Sequence, residues 1–134
     1  MLDTNIVSYL LRDVASIRDR MNALSPEDRV AVSAITAAEL RFGAQRRSGK
    51  LQIAVEGILR DFEVVAFDSA AATAFSQLRF NSESIGKNVQ DYDFLIAAHA
   101  IAVGATLVTN DVGMTFLPGV KVERWSDTFY FPQQ

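Results

Sequence analysis

QDYDFLIAAHAIAVGATLVTND, residues 90–111, is the stretch whose reading decides the fold. From Tyr92 to Val103 it is alanine-rich and almost wholly apolar, which predicts a helix buried on most of its surface, with Gly104 as its stop. ATLVT (105–109) then reads as a strand rich in β-branched residues. Yet acid stands at both ends: Asp91 and Asp93 around the start of the apolar run, Asp111 after it and its strand. Burying a helix and a strand gives no reason for carboxylates at their margins.

The rest of the chain repeats this alternation. Residues 1–3 are the visible part of a short first strand. Helices are expected over 6–12 and 14–24, and SPED (25–28) is a turn. VAVSA (30–34) is a second strand. A helix over 36–49 follows, with Ser33 or Thr36 near its N-cap and Gly49 at its stop. Another helix runs to about Arg60, EVVAF (63–67) is a third strand, and Asp68 caps a helix from Ser69 to Phe80. SIGKN (84–88) reads as loop, and KVERW (121–125) as a short fifth strand. Strands alternating with helices imply an α/β fold with a parallel sheet of four to five strands, covered on both faces. No repeat, low-complexity tract or linker divides residues 1–134, so a single domain is expected.

Composition removes whole classes of function. The 134 residues contain no cysteine, so disulfides and thiolate metal sites are excluded and a reducing cytoplasm fits. No run is long enough to cross a bilayer, and the acidic N-terminus is no secretory signal. The net charge of −3 does not itself point to nucleic acid. With one histidine, His99, a histidine pair within the chain is impossible. Six residues beyond Asp93, His99 should face about 240° away from it on the helix, as a core residue.

Three acids fall in related places. Asp3 ends the first strand, Glu39 sits in the first turn or so of the helix after the second, and Asp111 lies two residues past the fourth. Asp93 opens the helix leading into that fourth strand. In doubly wound sheets the active crevice lies at the carboxyl ends of the strands. Each acid also has an ordinary reading: Asp3 and Asp93 as helix caps, Glu39 as a surface residue near a helix start, Asp111 as a turn residue. Asp91 is ambiguous. Gathered together, four carboxylates would repel one another unless a hard divalent cation held them. Mg²⁺ or Mn²⁺ in such a site activates water against a phosphodiester and needs neither histidine nor cysteine.

MLDTNIVSYLL, VAVSAITAAELRFGA, DFLIAAHAIAVGATLVTND and GVKVERW, in this order, resemble the PIN domain and, within it, the VapC-type toxins of bacterial toxin–antitoxin pairs. The resemblance runs from Met1 to Trp125. It implies a three-layer α/β/α domain that cleaves RNA with Mg²⁺ or Mn²⁺ in the cytoplasm, tRNA and rRNA being the substrates of relatives. By the family's motifs Asp3, Glu39, Asp93 and Asp111 are the catalytic and metal-holding acids. The fourth is the softest match, because some relatives carry asparagine there. Thr109 would orient the acids by hydrogen bonding, while Thr4 and Asn5 have no assigned role. The first strand is shorter than in many relatives, and Asp91 stands where they often have proline or a small residue.

The resemblance also implies partners. Relatives form homodimers, and higher assemblies with a cognate antitoxin that inserts a helix or arm into a groove beside the acids. Tyr9, Leu10 and Phe42 would serve that groove or the core. RNA approaching acids needs cations, for which Arg41, Arg46, Arg47, Lys50 and Arg12 are candidates. Three alternatives are a PIN-like module that binds RNA or a partner without cutting, a DNA-directed nuclease of the same fold, and a phosphoacceptor receiver. The receiver lacks its second acid after the first strand and its lysine after the fifth.

Overall fold

Backbone hydrogen bonds tie the first three residues into the middle of a parallel sheet. Leu2 N–H donates to the Ala31 carbonyl at 2.9 Å, Asp3 N–H to Val108 at 3.0 Å, and Val108 N–H to Met1 at 2.8 Å. The computed structural model describes residues 1–85 and 89–126. In it, β1 (Ala31–Ser33) pairs with β2 (Glu63–Val65), and β3 (Leu107–Val108) pairs with β4 (Val122–Glu123). Leu2 bridges Val32 on one side and Val108 on the other, all in parallel. The order is therefore β2–β1–Leu2–β3–β4. The chain builds outward from Leu2 in one direction, then returns to build in the other.

Among the described residues six helices cover the sheet: α1 (Thr4–Leu11), α2 (Ala15–Asn22), α3 (Ala34–Gln45), α4 (Gly49–Asp61), α5 (Ser69–Asn81) and α6 (Asp91–Val103). Strand side chains alternate between the two faces. Leu2, Val32 and Val108 join Ile6, Val7, Ile17, Leu40 and Val55 of α1–α4 in one core. Met1 and Leu107 join Leu78 of α5 and Phe94, Ile96, Ala97 and Ala100 of α6 in the other. This is the three-layer α/β/α arrangement. Phe94, Ile96–Ala100 are all buried, so α6 is enclosed on most sides, and its alanines let it lie close to the sheet and α5. His99 is buried with them. Its Nδ1 lies 2.7 Å from Ser33 Oγ, and its ring meets Phe67 edge-on at 5.2 Å.

Every strand is shorter than its sequence suggests, and for the central pair the cause is local. Asp3 and Ser33 are N-caps whose side chains accept the N–H groups of Ile6 and Ile35. Each cap converts strand to helix with no intervening loop. α3 consequently starts at Ala34 rather than 36 and ends at Gln45 rather than 49. Gly49 is not a helix stop but the first residue of α4, because Ser48 Oγ caps Leu51 N–H at 3.3 Å. A 3₁₀ turn, Val112–Phe116, follows Asp111 where the sequence shows no periodic signal. Of the expected loop 84–88, residues 86–88 lie outside the described residues.

Gly104 closes α6 at φ +67°, with nothing within 4 Å of the place a Cβ would occupy. Gly104→Ala is expected to cost about 1 kcal/mol through backbone conformation alone. Urea unfolding should show a lower midpoint with unchanged slope; an unchanged midpoint would mean the cap adopts another conformation.

Candidate active site

The strand ends that carry acids face one another because Leu2 lies between β1 and β3. Asp3 is only 2 % exposed. Its Oδ1 accepts Ile6 N–H at 2.9 Å, and its side chain also accepts the Thr109 hydroxyl. Thr109, itself buried, accepts Asp111 N–H at 3.0 Å on Oγ1. One hydroxyl thus links the first and last acids of the set. Asp111 Oδ1 accepts Gly113 N–H at 2.9 Å and so caps the 3₁₀ turn. A Cβ at Gly113 would come within 3.2 Å of that same oxygen. The capping roles are real for Asp3 and Asp111, and each uses one carboxylate oxygen.

Glu39 is in the second turn of α3, further along than its expected place. It is half-buried and held from across the fold: the Thr4 hydroxyl donates to its Oε1 at 2.7 Å. Thr4 Oγ1 also lies 3.2 Å from the buried Thr36 hydroxyl. With its single proton given to Glu39, Thr4 accepts from Thr36. The sequence leaves Thr4 without a role because this partnership spans 35 residues of chain. The available signal was the pair of threonines placed one residue after Asp3 and three after Ser33, the two caps. Asp93 is the third residue of α6, half-buried, while Gln90 occupies the N-cap position. Asp91 opens α6 and pairs with Arg79 at 3.3 Å.

The four acids feel one another. Burial, then the charges of Asp3, Asp111 and Glu39, push the Asp93 carboxyl up to about 7. Burial pushes Asp3 up to about 6; the hydrogen bonds from Thr109 and Ile6 oppose this, and the charges of Asp111 and Glu39 add to it. Among the described residues, however, no three Asp, Glu, His or Cys side chains converge tightly enough to form a closed ion cage. That is compatible with Mg²⁺ or Mn²⁺, which keep several waters and use few protein oxygens. The donor set is oxygen only, and its mutual repulsion is what a doubly charged cation relieves, so these residues fit such an ion. His99 is not among them: burial lowers its pKa, and Ser33 is its side-chain partner.

Beside Glu39 opens a groove of ≈ 380 Å³ between α1, α3 and α4, with Arg12 and Arg47 on it and Tyr9, Leu40 and Val55 among its apolar lining. Of the five candidate cations, these two share a groove with an acid. Arg12 stacks on Tyr9 at 5.1 Å. Arg41 is paired with Glu56 through contacts of 2.7 and 3.2 Å, and Arg46 lies over Phe42 at 5.7 Å. Lys50 is exposed in the first turn of α4. Tyr9 serves both groove and core, Leu10 packs against the core, and Phe42 is exposed.

The raised carboxyls bear on stability. In the folded, cation-free chain Asp3 and Asp93 keep protons that the unfolded chain releases near pH 4. The folded state therefore binds more protons, and stability falls as pH rises from about 4 through about 7. Asp3 alone contributes about 3 kcal/mol across that window. In EDTA the Tm is expected to be higher at about pH 5 than at about pH 8, with Asp3→Asn flattening the difference. A Tm that rises with pH over this interval would contradict the cluster.

Comparisons with known proteins bear on the family and the overall fold. The PIN domain family matches residues 1–116. The tRNA(fMet)-specific endonuclease VapC of Shigella flexneri is 34% identical over 130 residues, 94% of this chain and 97% of that protein. VapBC2 from Rickettsia felis, solved bound to a DNA fragment from its promoter, aligns with a TM-score of 0.86 at 31% identity. That alignment covers 94% of this chain and 98% of that one. DNA-bound VapBC from Salmonella typhimurium gives a TM-score of 0.83 at 34% identity, covering 94% and 97%. Similarity of this extent, in sequence and in fold together, makes the chain a member of the PIN-domain family, in its VapC ribonuclease branch.

Proposed function

We propose that this chain is the toxin of a toxin–antitoxin pair, acting in the cytoplasm, and that it cuts transfer RNA by hydrolysis dependent on Mg²⁺ or Mn²⁺. The observation that carries this is the set of acids at the carboxyl edge of the sheet in a VapC-like PIN fold, with Asp3 held by the Ile6 N–H, Glu39 by Thr4, and Asp111 N–H on Thr109. Asp3, Glu39, Asp93 and Asp111 would hold the cation, directly or through water. When bound, a divalent cation supplies Lewis-acid activation of water and offsets charge building on the phosphate.

The chain's own residues prepare the place. Thr109 and the Ile6 N–H fix Asp3, and Thr4 fixes Glu39 Oε1, so neither carboxylate has to reorganise when substrate arrives. Without a cation, burial and the neighbouring acids push the Asp93 carboxyl up to about 7, so a bound cation would draw it into the carboxylate form. Arg12 and Arg47 offer positive charge where an RNA backbone would otherwise meet only acid. The apolar groove beside Glu39 suits a segment of the antitoxin, and a basic antitoxin residue reaching from it would neutralise the acids.

Transfer RNA as the substrate rests on the relatives named for tRNA(fMet). The test is cleavage of initiator tRNA and of total bacterial RNA with Mg²⁺, Mn²⁺ or EDTA, with the new ends sequenced. Discrete cuts are expected that need a cation, and Asp93→Asn should slow them by about 100-fold or more with the fold intact. Undiminished cutting by Asp93→Asn would remove that residue from the site. A folded, antitoxin-free wild type that cuts nothing would leave a binding module instead.

A further inference from the structure

Arg79, on the last full turn of α5, is not among the cations singled out by sequence. Its guanidinium stacks over the ring of Phe94 at 4.6 Å, a shorter separation than the 5.1 and 5.7 Å of the Arg12–Tyr9 and Arg46–Phe42 stacks. Its Nη2 meets Asp91 Oδ1 at 3.3 Å. Phe94 is 1 % exposed, so the stack fixes one face of the guanidinium against the core. The Arg79 side chain nonetheless remains 48 % exposed and its partner Asp91 80 % exposed. An exposed pair at this distance is weak and easily exchanged for another anion.

Position gives this cation its meaning. Asp91, Asp93 and Phe94 all belong to the first turn of α6. Through Asp91 and Phe94, Arg79 contacts the same turn of α6 that carries Asp93. Arg12 and Arg47 lie in the groove beside Glu39, in the α1–α4 layer; Arg79 lies against the turn of α6 that carries Asp93, in the α5–α6 layer. A polyanion crossing the carboxyl edge of the sheet would meet cations on both sides of the acids. Two anchors fix the direction of a strand where one fixes only a point.

We infer that Arg79 is a phosphate-binding residue for the RNA, pre-set by Phe94 and occupied in the free protein by Asp91, which the substrate phosphate displaces. This deepens the nuclease reading and rests on it. The planar guanidinium keeps one face on the ring and offers its edge N–H groups to phosphate oxygens.

The test compares KM, kcat and the salt dependence of KM for initiator tRNA in wild type, Arg79→Gln, Asp91→Asn and the double variant, with Arg79→Lys as the charge-preserving control. Arg79→Gln is expected to raise KM severalfold, keep kcat within about twofold, and reduce the slope of log KM against log salt by about 0.7–0.9. Asp91→Asn is expected to lower KM, and that gain should disappear in the Arg79→Gln background. Arg79→Lys should keep most of the salt slope. An equal gain from Asp91→Asn in both backgrounds would mean only long-range charge and would overturn the proposal. So would a loss of kcat without a change in KM in Arg79→Gln, which would make Arg79 a staple between helices. A wild type that does not cleave RNA removes the underlying reading and this proposal with it; cleaving wild type with an unmoved Arg79→Gln slope removes the proposal alone.

Discussion

A carboxylate buried at the end of a central strand has to be satisfied from the protein, because water cannot reach it. For Asp3 that requirement is met by the Ile6 N–H in the first turn of α1 and by the hydroxyl of Thr109. Meeting it fixes much else. The cap sets where the first strand stops and at what point α1 departs. The Thr109 hydroxyl can reach Asp3 only if β3 lies directly beside Leu2, and the same oxygen then takes Asp111 N–H. One buried acid thereby specifies a strand neighbour, a helix start and the place of a second acid. The arrangement works against electrostatic preference, since hydrogen bonds alone leave Asp3 well above the ordinary carboxylate range. A protein selected for stability alone would fill this position with an apolar residue.

The other acids extend the same economy. Asp111 caps a 3₁₀ turn with one oxygen. Glu39 has one oxygen held by Thr4, with Thr36 behind it. Asp93 has helix geometry as its support, in the turn that Arg79 grips through Asp91 and Phe94. For Asp3 and Asp111 a capping role and a place in the acidic cluster are compatible, because each cap accepts through one oxygen, Oδ1.

The sheet, its parallel sense and the buried α6 were legible because each rests on local signals: apolar strands, alanine periodicity, Gly104. Boundaries were less so. The strands stop where Asp3 and Ser33 become caps, and a residue's capping role depends on backbone geometry that its identity does not declare. Gly49 illustrates the same ambiguity, since a glycine between two helical patterns fits the end of one or the start of the next, and the Ser48 side chain settles it. The places of the acids could be read because strand ends are predictable. Their supports could not: Thr4 and Glu39, or Ser33 and His99, meet across 35 and 66 residues, and only the tertiary fold makes them neighbours. Basic residues were the least legible, because a surface arginine near a site in sequence, such as Arg41, can be committed elsewhere, while Arg79 arrives from a different helix.

The order of the sheet also has a consequence in time. Leu2 bridges Val32, close to it in the chain, on one side and Val108, far from it in the chain, on the other. A growing chain can bury α1–α4 against β1 and β2 while the other flank of Leu2 is still missing, and such non-local pairings form late because the intervening chain must be ordered first. Until Val108 docks, Asp3 lacks Thr109, and Asp93 and Asp111 are far from it. A partly synthesised chain therefore holds its acids apart. The cluster comes into being only when both flanks of Leu2 have docked, so the acids assemble as a late product of the tertiary fold.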